Sequence, residues 1–434
     1  MLVGSLGWSA NALALPSFAV QTGQPCAACH VGAWGPQLKK AGRDFKLFGY
    51  SAQDQPHDLL PVALVVNGGF THTEMDQPDG AGPHIGKNDN FVLGNASLYY
   101  AGRLNPESGA FIELQYQGTT RTFGPGEVDV RYAHDTDLFD DDVVYGFTLN
   151  DDPTVSDIFN STPVWGFPYL ASTVAPAPSA TPLIDGGLSQ QVAGTGAYLM
   201  WNDLAYLEVT LYKGLGRDVR NALGVVPVAG TDSVDGVAPY WRLALQQYFD
   251  DDRHFVELGA FGISASKFPG GVKTVGTDHL VDTGFDVNYQ WIADTKRVTS
   301  DVVSAHASFV HEDLNLDASQ IIDGTNRQDH LSSFQANVSY AFGATYTPTV
   351  QYFRTWGSND AARWGAPTGS PDSAGWIAEL NLVPWGKPDS PLNWLNGRLL
   401  LQYVAYTQFN GDTAHASDHN AVFINLSFAL ALNR

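Results

Sequence analysis

From about residue 60 to the end of the chain, apolar and polar residues alternate with a period of two over many short segments. In LAYLEVTLY (204–212), Leu207, Val209 and Leu211 fall on one face of an extended chain, and Glu208 falls on the other. Successive side chains of a β-strand point to opposite faces, so this period predicts strands with one apolar and one polar face. The stretch before residue 60 lacks this pattern and shows a helical spacing instead.

Sixteen segments of this kind predict a mostly β protein. Their approximate bounds are 61–73, 90–103, 109–117, 128–134, 143–149, 189–201, 204–214, 237–249, 254–266, 279–291, 300–312, 330–343, 345–356, 373–384, 393–409 and 420–431. Their apolar faces often end in aromatic residues, such as Tyr289 with Trp291, and their polar faces carry few charges. Aromatic girdles, an apolar outer band, a polar lumen and an even strand number are typical of outer-membrane barrels. We therefore expect a 16-stranded antiparallel transmembrane β-barrel, with a soluble β-sandwich or propeller as the alternative.

The links between the predicted strands alternate in length. Residues 150–188 and 213–236 are long and rich in Gly, Pro, Ser and Asp, whereas 201–204 and 343–345 are tight. Outer-membrane barrels combine long external loops with short periplasmic turns. The stretch VAPAPSATP at 174–182 is accordingly expected to be extended and external.

Composition agrees with a membrane barrel. Charged residues make up 16% of the chain, against roughly 25% in average soluble domains. The formal net charge of -22 would repel a phosphate backbone, which excludes a nucleic acid as partner. Residues 1–14 resemble the remnant of a signal peptide, with an A-x-A pattern at Ala12-Leu13-Ala14. Export would take the chain to the bacterial outer membrane and its lipid.

The two cysteines of the chain, Cys26 and Cys29, directly precede His30 in the sequence PCAACH. C-x-x-C-H is the attachment motif of c-type haem. Each thiol adds to one vinyl group of the porphyrin, and the adjacent histidine is then placed to ligate the iron. We therefore expect one haem c, with His30 as an axial ligand.

Two other uses of the cysteines fit the sequence less well. A zinc site needs four nitrogen or sulfur ligands, usually with a second Cys/His pair at similar spacing, and the sequence has none. A thioredoxin-like dithiol needs a βαβ setting, which does not follow the motif.

The residues after the motif predict a helix from Pro36 to Phe48, which Gly49 ends. One face is basic and carries Lys39, Arg43 and Lys46. These side chains either pair with haem propionates and with the acidic walls around them, or form an ordinary solvated helix face.

Residues 16–50 resemble the cytochrome segment of the fused outer-membrane cytochrome–porins of iron-oxidising bacteria. The matching residues are Phe18, Gln21-Thr22-Gly23, Cys26, Cys29, His30, Pro36, Leu38, Gly42-Arg43, Phe45-Lys46 and Gly49-Tyr50. The resemblance implies a monohaem cytochrome segment at 15–58 that plugs a porin-like barrel at 59–434. It also implies electron transfer from extracellular Fe(II) to a periplasmic carrier such as a soluble cytochrome. Val20, where a basic residue is expected, and the ending FALALNR, without a terminal aromatic, depart from the pattern.

The second axial ligand of the iron stays open at this point. His57, His72 and Met75 are candidates, and His306 is predicted to point into the lumen. His72 shares the parity of the lipid-facing residues unless Gly68-Gly69 forms a bulge.

Acidic residues on the predicted lumenal faces would concentrate cations by electrostatic focusing. They are Glu113, Glu208, Asp282, Asp286 and Glu379, and DTDLFDDD at 135–142 is expected to add an acidic loop.

Three functions fit these observations. The first is an outer-membrane protein that passes electrons from Fe(II) or another extracellular donor through the haem, as an Fe(II)-oxidising oxidoreductase would. The second is a passive porin whose haem segment plugs or stabilises the channel. The third is a soluble periplasmic cytochrome with a β binding domain.

Overall fold

The computed structural model describes residues 15–54, 60–138, 140–223 and 231–432. Seventeen β segments among them form one antiparallel sheet. They are β1 Val62–Thr73, β2 Asn90–Asn105, β3 Ser108–Gln117, β4 Thr122–Leu138, β5 Asp141–Asn150, β6 Val192–Trp201, β7 Ala205–Gly214, β8 Ser233–Asp235, β9 Ala238–Phe249, β10 His254–Phe268, β11 Asp278–Ile292, β12 Val302–Asn315, β13 Gln328–Ala341, β14 Tyr346–Gly357, β15 Ser373–Leu382, β16 Leu395–Gln408 and β17 Ala421–Ala431. The sheet closes on itself because β1 pairs with both β2 and β17.

The closed sheet is a barrel of sixteen strands among the described residues. β8 and β9 pair with successive parts of β10 and so share one position in the ring. The sixteen predicted strands are confirmed, with bounds that differ by a few residues at most of their ends. β4 is the clearest difference, since it begins at Thr122 and not at 128. Pro125 lies in this added part, where β4 pairs with β3 next to a register shift.

Apolar side chains face outward along the strands, and polar ones face inward. On β7, Leu207 and Leu211 are 44% and 48% exposed, whereas Tyr206 and Glu208 are buried. In lipid every backbone polar group needs an internal partner, which a closed antiparallel barrel provides. The chain is therefore a bacterial outer-membrane β-barrel, and the soluble-sandwich alternative is wrong.

Six α-helices lie outside the strands in the described part of the chain. They are α1 Pro16–Thr22, α2 Cys26–Cys29, α3 Lys40–Leu47, α4 Arg217–Ala222, α5 Asp317–Asp323 and α6 Ala361–Trp364. None of the helices described has the length and apolar character of a membrane span.

The loop between β5 and β6, residues 151–191, folds back into the barrel and is called the inner loop. It hydrogen-bonds to inward-facing residues of eight strands. The pairs are Ser172 with Thr71, Gln190 with Glu127, Ser156 with Glu208, Asp157 with Arg242, Ile184 with Asp282, Leu183 with Glu312, Phe167 with Gln351, and Leu170 with Gln402. The expectation of an external stretch at 174–182 needs correction. Ser179 does reach the rim at Asn410, but Val174 and Ala180 are buried.

Residues 15–54, called the plug, enter the barrel from the end that carries the short turns. Asn396 on β16 donates to the carbonyl of Ala33 at 2.9 Å, and Tyr198 on β6 donates to that of Leu47 at 2.8 Å. α1 packs on the neighbouring strands β1, β2 and β17. The plug and the inner loop meet where Asn160 donates to the Pro36 carbonyl at 3.0 Å.

The helix predicted over 36–48 begins later, at Lys40. The residues before it pair backward with the cysteine motif instead. Val31 donates to the Gln37 carbonyl at 3.0 Å, and Lys39 donates to the Cys29 carbonyl at 2.8 Å. Gly49 follows the helix with a φ of +66°, so the predicted helix end is confirmed.

Buried inward-facing side chains occur all around the ring. Among them are Ser97, Glu113, Asp129, Thr148, Tyr206, Arg242, Glu257, Asp282, Ser339, Gln351, Glu379 and Ser427. Because these polar side chains face protein and not water, the plug and the inner loop fill most of the lumen.

Val209→Arg tests the lipid-facing assignment. Val209 is 47% exposed on the outer face of β7, and Val219 is equally exposed but lies on α4 in a long loop. We expect Val209→Arg to lower the free energy of unfolding by about 2–4 kcal/mol, because an arginine in the lipid band must lose its hydration. Val219→Arg, the matched control, should change it by less than about 0.5 kcal/mol. Urea titration in lipid vesicles measures both, and equal effects would contradict the assignment.

Candidate cofactor site

Cys26, Cys29 and His30 line one cavity inside the barrel. Its empty volume is about 770 Å³, which includes the space at its mouth. Its walls are mostly apolar, as is common for cofactor pockets. The other lining residues are Leu15, Phe18, Ala19, Thr22, Gln24, Pro25, Pro36, Leu38, Gly42, Phe45, Lys46, Tyr50, Phe111, Asn160 and Trp165.

The cysteine motif forms a single helical turn, α2. The His30 amide donates to the Cys26 carbonyl at 2.9 Å, so His30 closes the turn that carries the two thiols. The Ala27 amide donates to the carbonyl of Gly386, in the turn between β15 and β16, at 2.9 Å. This turn of the barrel therefore supports the cysteine motif through a backbone hydrogen bond.

Gly42 lets α3 approach the motif closely. An ideal Cβ at Gly42 would lie 2.5 Å from the Cys29 carbonyl oxygen and 2.9 Å from the Leu38 side chain. No other residue type fits at this position without displacement of α3 from α2.

An aromatic cluster forms one wall of the cavity. The ring centroids of Phe18 and Phe45 are 5.0 Å apart, and those of Phe18 and Tyr50 are 5.6 Å apart. The Tyr50 hydroxyl donates to Asp129 on β4 at 2.6 Å. Tyr50 therefore anchors the cluster to the barrel, and the rings of Phe18 and Phe45 pack with it. The three rings give the cavity an apolar wall.

Burial sets the protonation of the motif, which lies outside the membrane-spanning strands. Burial first, and then the neighbouring Cys29, raise the pKa of Cys26 to about 12, and burial raises that of Cys29 to about 11. Redox dithiols need a lowered thiol pKa, so this environment disfavours the dithiol alternative. Burial and the charge of Lys39 lower the pKa of His30 to about 4. The imidazole is therefore neutral near pH 7 and keeps a lone pair for a metal.

The zinc alternative also lacks support in the described residues. No three His, Cys, Asp or Glu side chains among them converge in a way that could hold a metal ion. A structural zinc site needs four such ligands.

The basic residues of the plug do not form a solvated face. Lys39, Arg43 and Lys46 are buried. Lys39 donates to the carbonyls of Ala27 and Val298, both at 2.8 Å. The solvated-face alternative is wrong for these three residues and describes only Lys40, which is half-exposed.

Arg43 and Lys46 instead join the plug to its surroundings. The guanidinium of Arg43 donates to the Tyr248 hydroxyl at 3.1 Å and stacks over Phe255 at 3.6 Å. Lys46 donates to the Val155 carbonyl at 2.8 Å and to Asn160 Oδ1 at 2.7 Å. Of the three basic residues, only Lys46 lines the cavity.

The candidates for the second axial ligand lie in different places. His57 falls outside the described residues. His72 and Met75 are exposed near the long-loop end of β1, and His72 contacts Asp89 at 2.7 Å. The register shift near Gly68 comes from an extra residue on β2 and not on β1. The inward and outward side chains of β1 therefore alternate without interruption, and His72 stays on the outward face. His306 points inward, and its Nε2 contacts the Ser161 carbonyl at 2.9 Å.

Three of these candidates therefore do not line the cavity. They are His72, Met75 and His306.

The structure adds site residues that sequence reasoning missed. Asn160 and Trp165 of the inner loop line the cavity, and Asn396 on β16 supports the motif from the wall. The inner loop has no periodic pattern, so its sequence gives no sign that it returns to the plug.

The acidic residues predicted for the lumen are all inward-facing and buried, which confirms that placement. They are Glu113, Glu208, Asp282, Asp286 and Glu379. The stretch 135–142 is not a long loop, because β4 runs to Leu138 and β5 begins at Asp141. Its acids are on the short-turn end of the barrel, where the plug enters.

Comparisons with known proteins leave the family open. No protein-family model and no curated protein matches the chain. Among solved structures, the chain is similar to OprB of Pseudomonas putida at high pH, with 13% identity, a TM-score of 0.48, and 86% of this chain and 94% of that one covered. It is also similar to the anion-selective porin from Comamonas acidovorans, with 11% identity, a TM-score of 0.46, and 86% and 98% covered. Likenesses at this level transfer no function.

Gly42→Ala tests the contact between α3 and the motif. Alanine ordinarily favours a helix over glycine by about 1 kcal/mol. Here we expect a loss of about 1–3 kcal/mol in the free energy of unfolding, because the added methyl group overpacks against the Cys29 carbonyl. Gly216→Ala is the control, since a Cβ there meets nothing within 4 Å. Urea titration followed by tryptophan fluorescence measures both, and a stabilised Gly42→Ala variant would rule the contact out.

Proposed function

We propose that this chain is an outer-membrane electron-transfer protein of the fused cytochrome–porin type. Cys26, Cys29 and His30 would hold one haem c in the cavity, and this group would supply the one-electron chemistry between an extracellular donor, with Fe(II) as the first candidate, and a periplasmic carrier such as a soluble cytochrome. The observation that carries the proposal is that Cys26, Cys29 and His30 line one apolar cavity inside the barrel.

The residues present fit a haem c. Two protonated thiols at the spacing of the attachment motif border a mostly apolar cavity. His30 is neutral, and its buried Nδ1 atom makes no hydrogen bond to the described residues. The cluster of Phe18, Phe45 and Tyr50 offers flat apolar surface for a porphyrin. Lys46, also on the cavity, is the base that we propose for a propionate.

A bound haem supplies a one-electron change at iron, and the chain supplies its surroundings. The two cysteines would hold the group covalently, and His30 would ligate it. The aromatic wall excludes water, while Asn160 and Trp165 cover the cavity on the side of the inner loop. Oxidation outside the cell keeps insoluble ferric product out of the periplasm.

The filled lumen favours electron transfer over a passive porin. Polar side chains around the ring are buried against the plug and the inner loop. An electron can tunnel through such packing, but a hydrated solute cannot pass through it. No contact among the described residues specifically favours solute transport.

The visible spectrum of the detergent-solubilised protein tests haem attachment. We expect a c-type haem spectrum in the wild type and its loss in a Cys26→Ala/Cys29→Ala variant, because no thiol then remains to bond the vinyl groups. A Cys26→Ala single variant, which keeps one thiol, is the matched comparison and should retain part of the absorbance. A colourless wild type produced in cells that mature c-type cytochromes would remove the cofactor from the proposal.

Reduction by Fe(II) and solute flux test the function itself. We expect Fe(II) to reduce the haem within the protein and the barrel in liposomes to conduct small solutes poorly. A coloured protein that Fe(II) leaves oxidised across the pH range would exclude iron as donor. A coloured, freely permeable barrel would favour the porin alternative.

A further inference from the structure

Two pairs of carboxyl groups lie where the inner loop meets the barrel wall, and neither pair has a full set of partners. In the first pair, Glu127 of β4 lies beside Asp152 of the inner loop. Gln190 donates to Glu127 Oε1 at 3.1 Å, and Ser189 donates to Asp152 Oδ2. The remaining oxygens, Glu127 Oε2 and Asp152 Oδ1, are buried and make no hydrogen bond to the described residues.

The second pair has the same arrangement. Asp282 of β11 and Glu312 of β12 are directly opposite in the register, and both side chains point inward. The inner loop donates to one oxygen of each, from the Ile184 amide to Asp282 Oδ2 at 2.7 Å and from the Leu183 amide to Glu312 Oε1 at 2.9 Å. Asp282 Oδ1 and Glu312 Oε2 are again buried without a hydrogen-bond partner.

Two ionised carboxylates in such contact would each lose hydration and would also repel each other. A single proton between them removes one charge and supplies a hydrogen bond to both unpartnered oxygens. A divalent cation fits less well, because no third acidic, histidine or cysteine ligand converges on either pair within the described residues. The arrangement therefore points to a shared proton.

We propose that a proton shared within each pair, Glu127–Asp152 and Asp282–Glu312, holds the inner loop against the barrel wall and makes this loop a gate that loosens as the pH rises and the proton is lost. The proposal is independent of the haem, since none of these residues lines the cavity.

The surroundings of the two pairs differ in charge. Glu113, Asp151 and Asp185 act electrostatically on the first pair without converging on it, so its neighbours are acidic. Lys267 and Arg363 face the second pair, and these cations partly compensate a second negative charge there. The first pair is therefore the more sensitive to the loss of its proton.

Asp152 lies outside the strands, and burial raises its pKa to about 8. An ordinary aspartate has a pKa near 3.9, so between these values the folded chain holds a proton that the unfolded chain has released. The stability of the loop contact accordingly falls as the pH rises from about 4 to about 8. The ion pair of Asp157 with Arg242, at 3.0 Å, keeps the middle of the loop in place. Loosening is therefore expected near residues 151–152 and 183–190.

Hydrogen exchange of the full chain in detergent tests the gate. We expect the amides of Leu183, Ile184 and Gln190 to lose about tenfold in protection per pH unit as the pH rises from 6 towards the shared-proton pKa, and to level off above it, after correction for intrinsic rates. A Glu127→Gln/Glu312→Gln variant should keep its protection to pH 9.5, because each amide group donates permanently to the facing carboxylate. Glu379→Gln is the control, since Glu379 is buried but bonded by Gln402 at 2.7 Å. It should respond to pH like the wild type.

Three outcomes would overturn the gate. Constant protection in the wild type from pH 6 to 9.5 would show that no proton is lost. Equal loosening in the double variant would assign the pH response to other groups. Loosening of the wild type by a chelator at pH 6 would show a bound cation in place of the proton. If the double variant does not fold, Glu127→Gln alone repeats the test. In this single variant the Gln190 amide should stay protected as the pH rises, while the Leu183 amide should lose protection as in the wild type.

Discussion

Closure of the sheet by the pairing of β1 with β17 is the constraint on which the rest of the structure depends. A barrel in lipid must have no free edge, because unpaired backbone groups have no water there to bond to. Closure then fixes two surfaces at once. The outer one faces lipid and is apolar, while the inner one is polar and encloses a space that water or protein must fill.

This chain fills that space with two of its own segments. The plug enters from the short-turn end, and the inner loop returns from the long-loop end. Both bring polar groups to a polar wall, so the wall can be buried without large loss of hydrogen bonding. Arg242 illustrates this, since it contacts Asp157 of the inner loop as well as Glu257 and Asp286 of the wall. In this contact three carboxyl groups share one guanidinium, so acidic side chains outnumber basic ones at the buried wall.

The same packing gives the cysteine motif its chemical character. An exposed C-x-x-C-H segment would have thiols and an imidazole of ordinary pKa, whereas here burial raises the former and lowers the latter. The cavity is closed in part by residues of the inner loop, so its environment depends on chain more than a hundred residues away in sequence. Attachment chemistry is therefore local, but protection from water is a property of the whole barrel.

The sequence by itself determined the barrel, its sixteen strands and the face of each lumenal acid, because a period of two records directly which side chains meet lipid. It also determined the position of the motif, since the spacing of Cys26, Cys29 and His30 is local chemistry. Only the tertiary structure decided where the inner loop goes, that Lys39, Arg43 and Lys46 are buried, and that Asn160 and Trp165 reach the cavity. These contacts join segments far apart in the chain, and neither periodicity nor spacing encodes a partner at such a distance. The start of α3 at Lys40 has the same cause, since pairing with residues 29–31 outweighs the helical preference of residues 36–39.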